Sequence, residues 1–428
     1  MKPTILVAAT SHWFPAARLA MAMADAGCIV EGVCPVGHPL GKIRAVSRTY
    51  RYNGLAPVRS FSAAIRAAKP QLIIPGDDLA AHQLHHLHRR ELLRGENGAQ
   101  VCCLIERSLG SPESFPVVYE RATLMRLAQE DGVRVPQSAV IASVNQLREW
   151  AAKVGFPLVL KADGTSGGDG VRIVQTIEEA ESAYRKLQAP TQLARAAKRA
   201  LVDYDKTLVW PSLLRRRRVV SGQVFVSGRE ATSTVACWQG AVIGSLHFEV
   251  INKRHQAGPA TVMRLIDHPD VSYAVEKIVR RLKLSGVHGF DFMLEASTGK
   301  AYLIEINPRI TQVGHLALGP GRDLSAALVA AMSGCAIQPT PKVTDKDIIT
   351  LFPQEWMREP SSSYLRSGYH DVPWAEAELL QVCVRHARKY HSLTARQNRV
   401  QSPAPQLLPI DTRMAPKSLA QSGDSGYE

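Results

Sequence analysis

Residues 288–312 read HGFDFMLEASTGKAYLIEINPRITQ, and their pattern decides how the chain folds. GFDFMLE alternates apolar with other residues, STGK is turn chemistry, and AYLIEI resumes a strand pattern, so the segment reads as a β-hairpin. Folded that way it sets Asp291 near Glu305, with Asn307 and Arg309 following at period two. Two carboxylates and an amide on adjacent strands are hard oxygen donors of the kind that hold Mg²⁺, which takes few protein ligands and fills its shell with water and phosphate oxygens. Arg309 adds a planar fork suited to a phosphate or carboxylate. A buried strand pair closed by a salt bridge is the plainer alternative, and the rest of the chain decides between them.

Upstream, Phe156-Pro157-Leu158-Val159-Leu160-Lys161 reads as a strand running into Ala162-Asp163-Gly164-Thr165-Ser166-Gly167-Gly168-Asp169-Gly170, with a second strand at Val171 to Val174. Four glycines in seven residues permit positive φ and let backbone N–H groups approach an anion closely. Lys161 at the strand end supplies a point charge for phosphates. The segment is no P-loop, because GxxxxGK[ST] is absent and the loop joins two strands instead of opening a helix.

Residues 219–232, VVSGQVFVSGREAT, read as a hairpin with a Gly-bearing turn that sets Gln223 and Glu230 seven residues apart. An adenine needs an apolar slot with amide and backbone hydrogen bonds, which Gln223 and the backbone of Phe225 and Val226 suit. A ribose needs a carboxylate to accept its hydroxyls, which suits Glu230. Between this segment and the first hairpin, Glu249 to Ala260 is a strand opening into a basic loop, where Lys253 or Arg254 suits a clamp on a carboxylate or γ-phosphate.

Taken in order, the Lys with its glycine-rich hairpin, the Q-V-F-V-x-G-R-E segment and the D-F-M…E-I-N-P-R hairpin resemble the ATP-grasp superfamily, over about residues 116 to 335. The resemblance implies an α/β (α+β) ATP-grasp fold, with an N-terminal Rossmann-like parallel sheet followed by two α+β subdomains clamping ATP. It implies that Lys161, Gly164, Ser166, Gly167, Gly168 and Gly170 bind phosphates, and that Gln223, Phe225, Val226 and Glu230 hold adenine and ribose. Asp291, Glu305 and Asn307 then hold Mg²⁺ or Mn²⁺, and Arg309, with Lys161, stabilises the transferred phosphoryl group. Two positions depart from the family pattern. Arg121 stands where a Lys is frequent and is expected to contact phosphate with altered geometry, and Gln223 stands where a Glu is frequent.

The resemblance further implies an ATP- and Mg²⁺-dependent ligase that joins a carboxylate to an amine, or to a thiol, through an acyl-phosphate. The alternatives are kinase-like or carbamoyl-phosphate-type phosphoryl transfer, or a non-catalytic nucleotide-binding protein. Its implied partners are a small-molecule carboxylate and an amine.

Composition narrows the setting. The hydrophobic content is 45% and the formal net charge is +14. Ten basic residues lie between Arg185 and Arg218 against Asp203 and Asp205. That stretch lacks aromatic interleaving and any nucleic-acid fold signature, so lid charges and a solvated helix face account for it, and nucleic acid is not expected as a partner. No apolar run reaches the length of a membrane span. Seven scattered cysteines without a CxxC spacing suggest reduced thiols and a cytoplasmic setting.

Before the glycine-rich segment, TILVAA, CIVEGVC and QLIIP alternate with helical stretches, which points to a parallel βαβ sheet. Ligands in such sheets sit at the carboxyl ends of the strands, where Thr10-Ser11-His12-Trp13 and Pro75-Gly76-Asp77-Asp78 fall. Ser11 and Asp78 read as helix caps there. His82, His85, His86 and His88 share one predicted helix and read as an exposed polar face. Gly314-His315 and Gly319 to Arg322, just past the metal hairpin, are candidates to line a nucleophile pocket. The expected division is 1–115, 116–220, 221–340, a C-terminal extension at 341–398 and a disordered tail at 399–428. The extension is expected either to cap the site or to make a homodimer contact.

Overall fold

The computed structural model describes residues 2–163, 170–189, 218–255, 258–335 and 340–385. Gly164, Ser166, Gly167 and Gly168, most of the basic stretch, and the tail lie outside the described residues. Residues Met1–Val384 form one compact unit built on three sheets.

The first sheet is parallel, with strands β1 (Thr4–Ala8), β2 (Ile29–Cys34), β3 (Val46–Arg51) and β4 (Leu72–Pro75) in the order β3-β2-β1-β4. Period-two alternation divides β1 between two cores: Ile5 and Val7 pack on one side, Leu6 and Ala8 on the other. Helix α1 (Pro15–Asp25) buries Ala16, Ala20 and Met23 on the first side, while α2 (Pro57–Ala68) and α3 (Asp78–Leu92) cover the second. α4 (Glu96–Leu109) packs beside α3.

The second sheet is antiparallel, with β5 (Ser138–Ile141), β6 (Leu158–Ala162), β7 (Val171–Val174) and β8 (Val220–Val224) in the order β5-β8-β6-β7. It follows α5 (Arg121–Glu130). Leu158, Leu160 and Ala162 pack under α6 (Val144–Val154) and α7 (Ile177–Gln188). The alternation therefore sends Val159 and Lys161, with their partners Gln223 and Ser221, to the face away from those helices.

The third sheet has seven strands: β9 (Gly228–Trp238), β10 (Ala241–Lys253), β11 (Ala260–Ile266), β12 (Gly286–Glu295), β13 (Ala301–Asn307), β14 (Ile348–Leu351) and β15 (Tyr369–Asp371), in the order β13-β12-β9-β10-β11-β14-β15. α8 (Pro269–Leu282) and α5 cover Phe290, Phe292, Leu294, Leu303 and Val235 on one face. α9 (Leu324–Ser333) covers Leu246 and Phe248 on the other. The expected hairpin at 219–232 does not form. β8 and β9 belong to different sheets, and residues 225–227 cross between them. Both strands show strand periodicity, which records a strand's faces and not the sheet it joins. The expected extension supplies β14 and β15 to this same sheet, pairing β14 with β11.

Candidate active site

The hairpin expected at 288–312 is present as β12 and β13, with Asp291 opposite Glu305 and Gly289 opposite Asn307. The register shifts after Asp291, leaving Ile304 as an extra residue in β13, and this bulge turns Glu305 onto the same face as Asp291. Asn307 Nδ2 donates to Asp291 Oδ2 at 3.0 Å, and the Thr232 hydroxyl on β9 donates to the same carboxylate. The opposite face of this strand pair is the apolar core of Phe290, Phe292 and Leu303. The carboxylates thus sit on a rigid element, with one face packed and the other polar.

Arg121, the first residue of α5, binds Glu305 Oε2 at 2.9 Å and Asp163 Oδ1 at 3.2 Å. Burial and the facing Glu305 carboxylate push Asp291 well above the usual carboxylate range. Burial acts on Glu305 in the same sense but is outweighed by Arg121 and Lys161, so its carboxyl lies below that range. Two carboxylates about 5 Å apart repel by roughly 3 kcal/mol at an effective dielectric near 20, so the pair favours a cation. Lys161 is 6% exposed, and burial brings its ammonium down to about 8 against the pull of Glu305.

Arg309 links the hairpin to the first sheet. Its Nε donates to Asp78 Oδ1 at 3.1 Å, its guanidinium lies 4.6 Å from the centre of the Trp13 ring, and Ile310 N donates to Pro75 O at 3.3 Å. Trp13 and Asp78 belong to the loops at the carboxyl ends of β1 and β4. The capping expected of Asp78 and Ser11 falls elsewhere. Asp77 caps α3 by accepting from Ala80 N at 2.9 Å, and it also binds Thr10 and Ser11, while the position before α1 is Phe14, which makes no side-chain cap. Asp78 is thereby released to Arg309. The predicted exposed histidine face holds for His82 and His86 and is corrected for the other two. His85 and His88 are buried, His85 stacking on Phe115 at 3.9 Å and His88 bonding Glu106 at 2.7 Å, because both share the apolar face of Leu84 and Leu87.

At the crossing between sheets, Gln223 is buried on the same face as Lys161. Phe225 N donates to Pro157 O at 3.3 Å, so that N–H is engaged within the chain. Glu230 shares the face of Thr232 and Asp291, and Lys253 Nζ binds Glu230 Oε1 at 2.6 Å, which joins two residues expected to act separately. Gly170 precedes β7 and its carbonyl accepts from Ala162 N at 2.9 Å, closing the base of the glycine-rich loop.

Residues 120–319 match the family model described as the carbamoyl-phosphate synthase L chain, ATP binding domain. That match covers 200 of the chain's 428 residues, and over it the chain is similar to this ATP-binding domain. The carbamoyl phosphate synthase large chain of Caldanaerobacter subterraneus subsp. tengcongensis is 25% identical over 207 residues, covering 48% of this chain and 18% of that one. The acetyl-CoA carboxylase of Dictyostelium discoideum is 25% identical over 177 residues, covering 41% of this chain and 7% of the carboxylase. The chain thus spans less than a quarter of the length of these curated relatives. Among solved structures, the biotin carboxylase domain dimer of Hydrogenobacter thermophilus 2-oxoglutarate carboxylase, in complex with MgADP, ADP and bicarbonate, superposes with a TM-score of 0.56 at 16% identity, covering 79% of this chain and 71% of that one. N5-carboxyaminoimidazole synthetase from Staphylococcus aureus, complexed with ADP, gives 0.53 at 15% identity over 80% of each chain.

Asp291 and Glu305 bring two carboxylates together beside the Asn307 amide, with Glu305 also paired to Arg121, and this donor chemistry fits a hard divalent cation. Lys161, Gln223 and Ser221, buried on the face of the second sheet away from its helices, and Thr232 and Glu230 on the polar face of the third, supply polar groups of the kind a nucleotide requires. The sequence left Asp163, Thr232 and Trp13 without a role. Asp163 and Trp13 act through contacts 42 and 296 residues away along the chain, Asp163 with Arg121 and Trp13 with Arg309, and spacing carries no signal for such pairs. Thr232 was legible in principle, two residues beyond Glu230 on the same strand face. Among the described residues no helix is long and apolar enough to cross a membrane.

Proposed function

We propose that the protein is an ATP- and Mg²⁺-dependent ligase that activates a small carboxylate as its acyl-phosphate and passes the acyl group to an amine, or alternatively a thiol. The observation that carries this is the in-register pair Asp291 and Glu305, bordered by Asn307, Arg121, Lys161 and Arg309. Asp291, Glu305 and Asn307 would hold the metal, which when bound neutralises phosphate charge and fixes the phosphate oxygens.

The remaining chemistry belongs to the chain. Lys161 and Arg121 place positive charge along the phosphates, and Arg309 presents its guanidinium where charge grows on the transferred group. Gln223, Phe225 and Val226 border the base and Glu230 accepts from the ribose. Gly164, Ser166, Gly167, Gly168 and Gly170 would bind the phosphates through their backbone N–H groups. Trp13, Asp78 and the carboxyl edge of the first sheet border the acid and amine. We keep the division at 115, 220 and 340, with residues 341–398 as an extension and a homodimer as the assembly to test by light scattering.

The test is ADP release over a panel of acids and amines. Bicarbonate belongs in it, since the structure of the 2-oxoglutarate carboxylase neighbour is a complex with MgADP, ADP and bicarbonate. Release is expected only when both an acid and an acceptor are present. If nucleotide binds but no combination releases ADP, the ligase assignment fails. The family model favours one second reading, a carbamoyl-phosphate-type reaction. It predicts a phosphorylated product released as such, where the ligase gives an amide.

A further inference from the structure

The loop after the metal hairpin carries Arg309 and has no helix or strand from Pro308 to Leu318. Its near end is fixed to the first sheet by Arg309 with Asp78 and by Ile310 N with Pro75 O. Its far end is fixed by a different device. His315 Nε2 lies 2.7 Å from Asp371 Oδ2, and the Arg18 guanidinium takes the other oxygen of that carboxylate. The three side chains come from the loop, from β15 and from α1, and they are 6%, 4% and 16% exposed.

A buried carboxylate with two donors fixed on it is a rigid joint, because removing either donor leaves charge without compensation. Asp371 accepts from Nε2–H, which sets the imidazole tautomer and leaves Nδ1, a buried atom without a partner, as the bare nitrogen. The joint ties the Arg309 loop to α1, which follows the Trp13 loop, and does so with a residue from the C-terminal extension. Arg309 itself stacks on Trp13. Both ends of the Arg309 loop are therefore referenced to the same N-terminal loop.

We propose that His315 and Asp371 are positioning residues for Arg309, so that β15 of the C-terminal extension is a working part of the active site. The consequence for turnover rests on the ligase assignment above, whereas the consequence for Arg309 geometry does not. Gln at position 315 places a donor near that of Nε2, while Phe fills the volume without one.

The first measurement is Trp13 fluorescence, isolated by subtracting the spectrum of the matching Trp13→Phe variant. His315→Phe should shift and change the intensity of that component, and His315→Gln should leave it as in the unaltered protein. An unchanged Trp13 component in His315→Phe overturns the proposal. The second measurement is turnover against binding: His315→Phe should lose about 10–100-fold in acid-dependent ADP release, the scale expected for a misplacement of about 1 Å. MgADP affinity by calorimetry should stay within about two-fold, well under a 1.4 kcal/mol change. Parallel loss of both, or His315→Gln no better than His315→Phe, also overturns it. If no acid releases ADP from the unaltered protein, the ligase assignment fails and the Trp13 arm alone decides. Should His315→Phe not fold, ¹⁵N NMR of the unaltered protein, with His315 assigned by the signal lost in His315→Gln, decides. Nε2–H with a bare Nδ1 is expected, and the opposite tautomer overturns the proposal.

Discussion

Glu305 is the most heavily committed single residue, since it faces Asp291, binds Arg121 and lies in the field of Lys161. Glu305→Gln keeps the shape and removes the charge. ADP release should fall by about 10²–10³-fold, the scale of losing one preorganised electrostatic partner. Nucleotide affinity should also lose its dependence on Mg²⁺ when the metal is titrated in a binding assay. Retained turnover would remove the hairpin from the chemistry. Lys161 makes a separate prediction through its lowered value of about 8. Its ammonium is charged below that pH and neutral above it, so nucleotide affinity should fall as pH rises from about 7.5 to 9. Lys161→Arg stays charged and should flatten the profile. An unchanged slope in that variant would mean that another group titrates.

At the scale of elements, the metal hairpin was legible because everything that defines it is local: strand alternation, a turn, and four functional side chains in nineteen residues from Asp291 to Arg309. The segment at 219–232 was legible as strands and misread as a hairpin, because the turn-like Gly228 serves a close approach and not a turn. A Cβ on Gly228 would lie 1.9 Å from the carbonyl oxygen of Leu294 on β12. Gly228→Ala should therefore lift the start of β9 from β12, costing about 1–3 kcal/mol in urea unfolding. The same displacement should weaken nucleotide binding through Glu230, two residues on. Equal stability in Gly228→Ala would show that the strands can separate there without cost. β3 was missed altogether because VSRTYR is an edge strand with most of its residues outside the core, so burial leaves no apolar run in the sequence. His85 and His88 of α3 could have been placed inside from their spacing with Leu84 and Leu87; their polarity argued the other way, and packing won.

Among the described residues five histidines are buried, and four of them, His38, His85, His247 and His288, are held neutral by that burial. Burial lowers them to about 3, 3, 4 and 4. Each stays neutral when folded down to that value and takes a proton near 6.5 when unfolded. Above about 6.5 the two states bind the same number of protons and these groups leave stability unchanged. As pH falls from 6.5 towards 4 the unfolded chain binds more, so stability drops, by about 2 kcal/mol per histidine at pH 5. The four together match a large part of the roughly 5–15 kcal/mol that holds a typical domain folded. Urea midpoints should therefore fall steeply between pH 6.5 and 5 and be nearly flat from 7 to 8. His85→Phe keeps a ring against Phe115 and removes one of the four, so it should lessen the acid-side slope by about one proton. A flat profile down to pH 5, or a slope untouched by His85→Phe, would mean that these imidazoles are charged within the fold and that the packing around them is more polar than their contacts indicate.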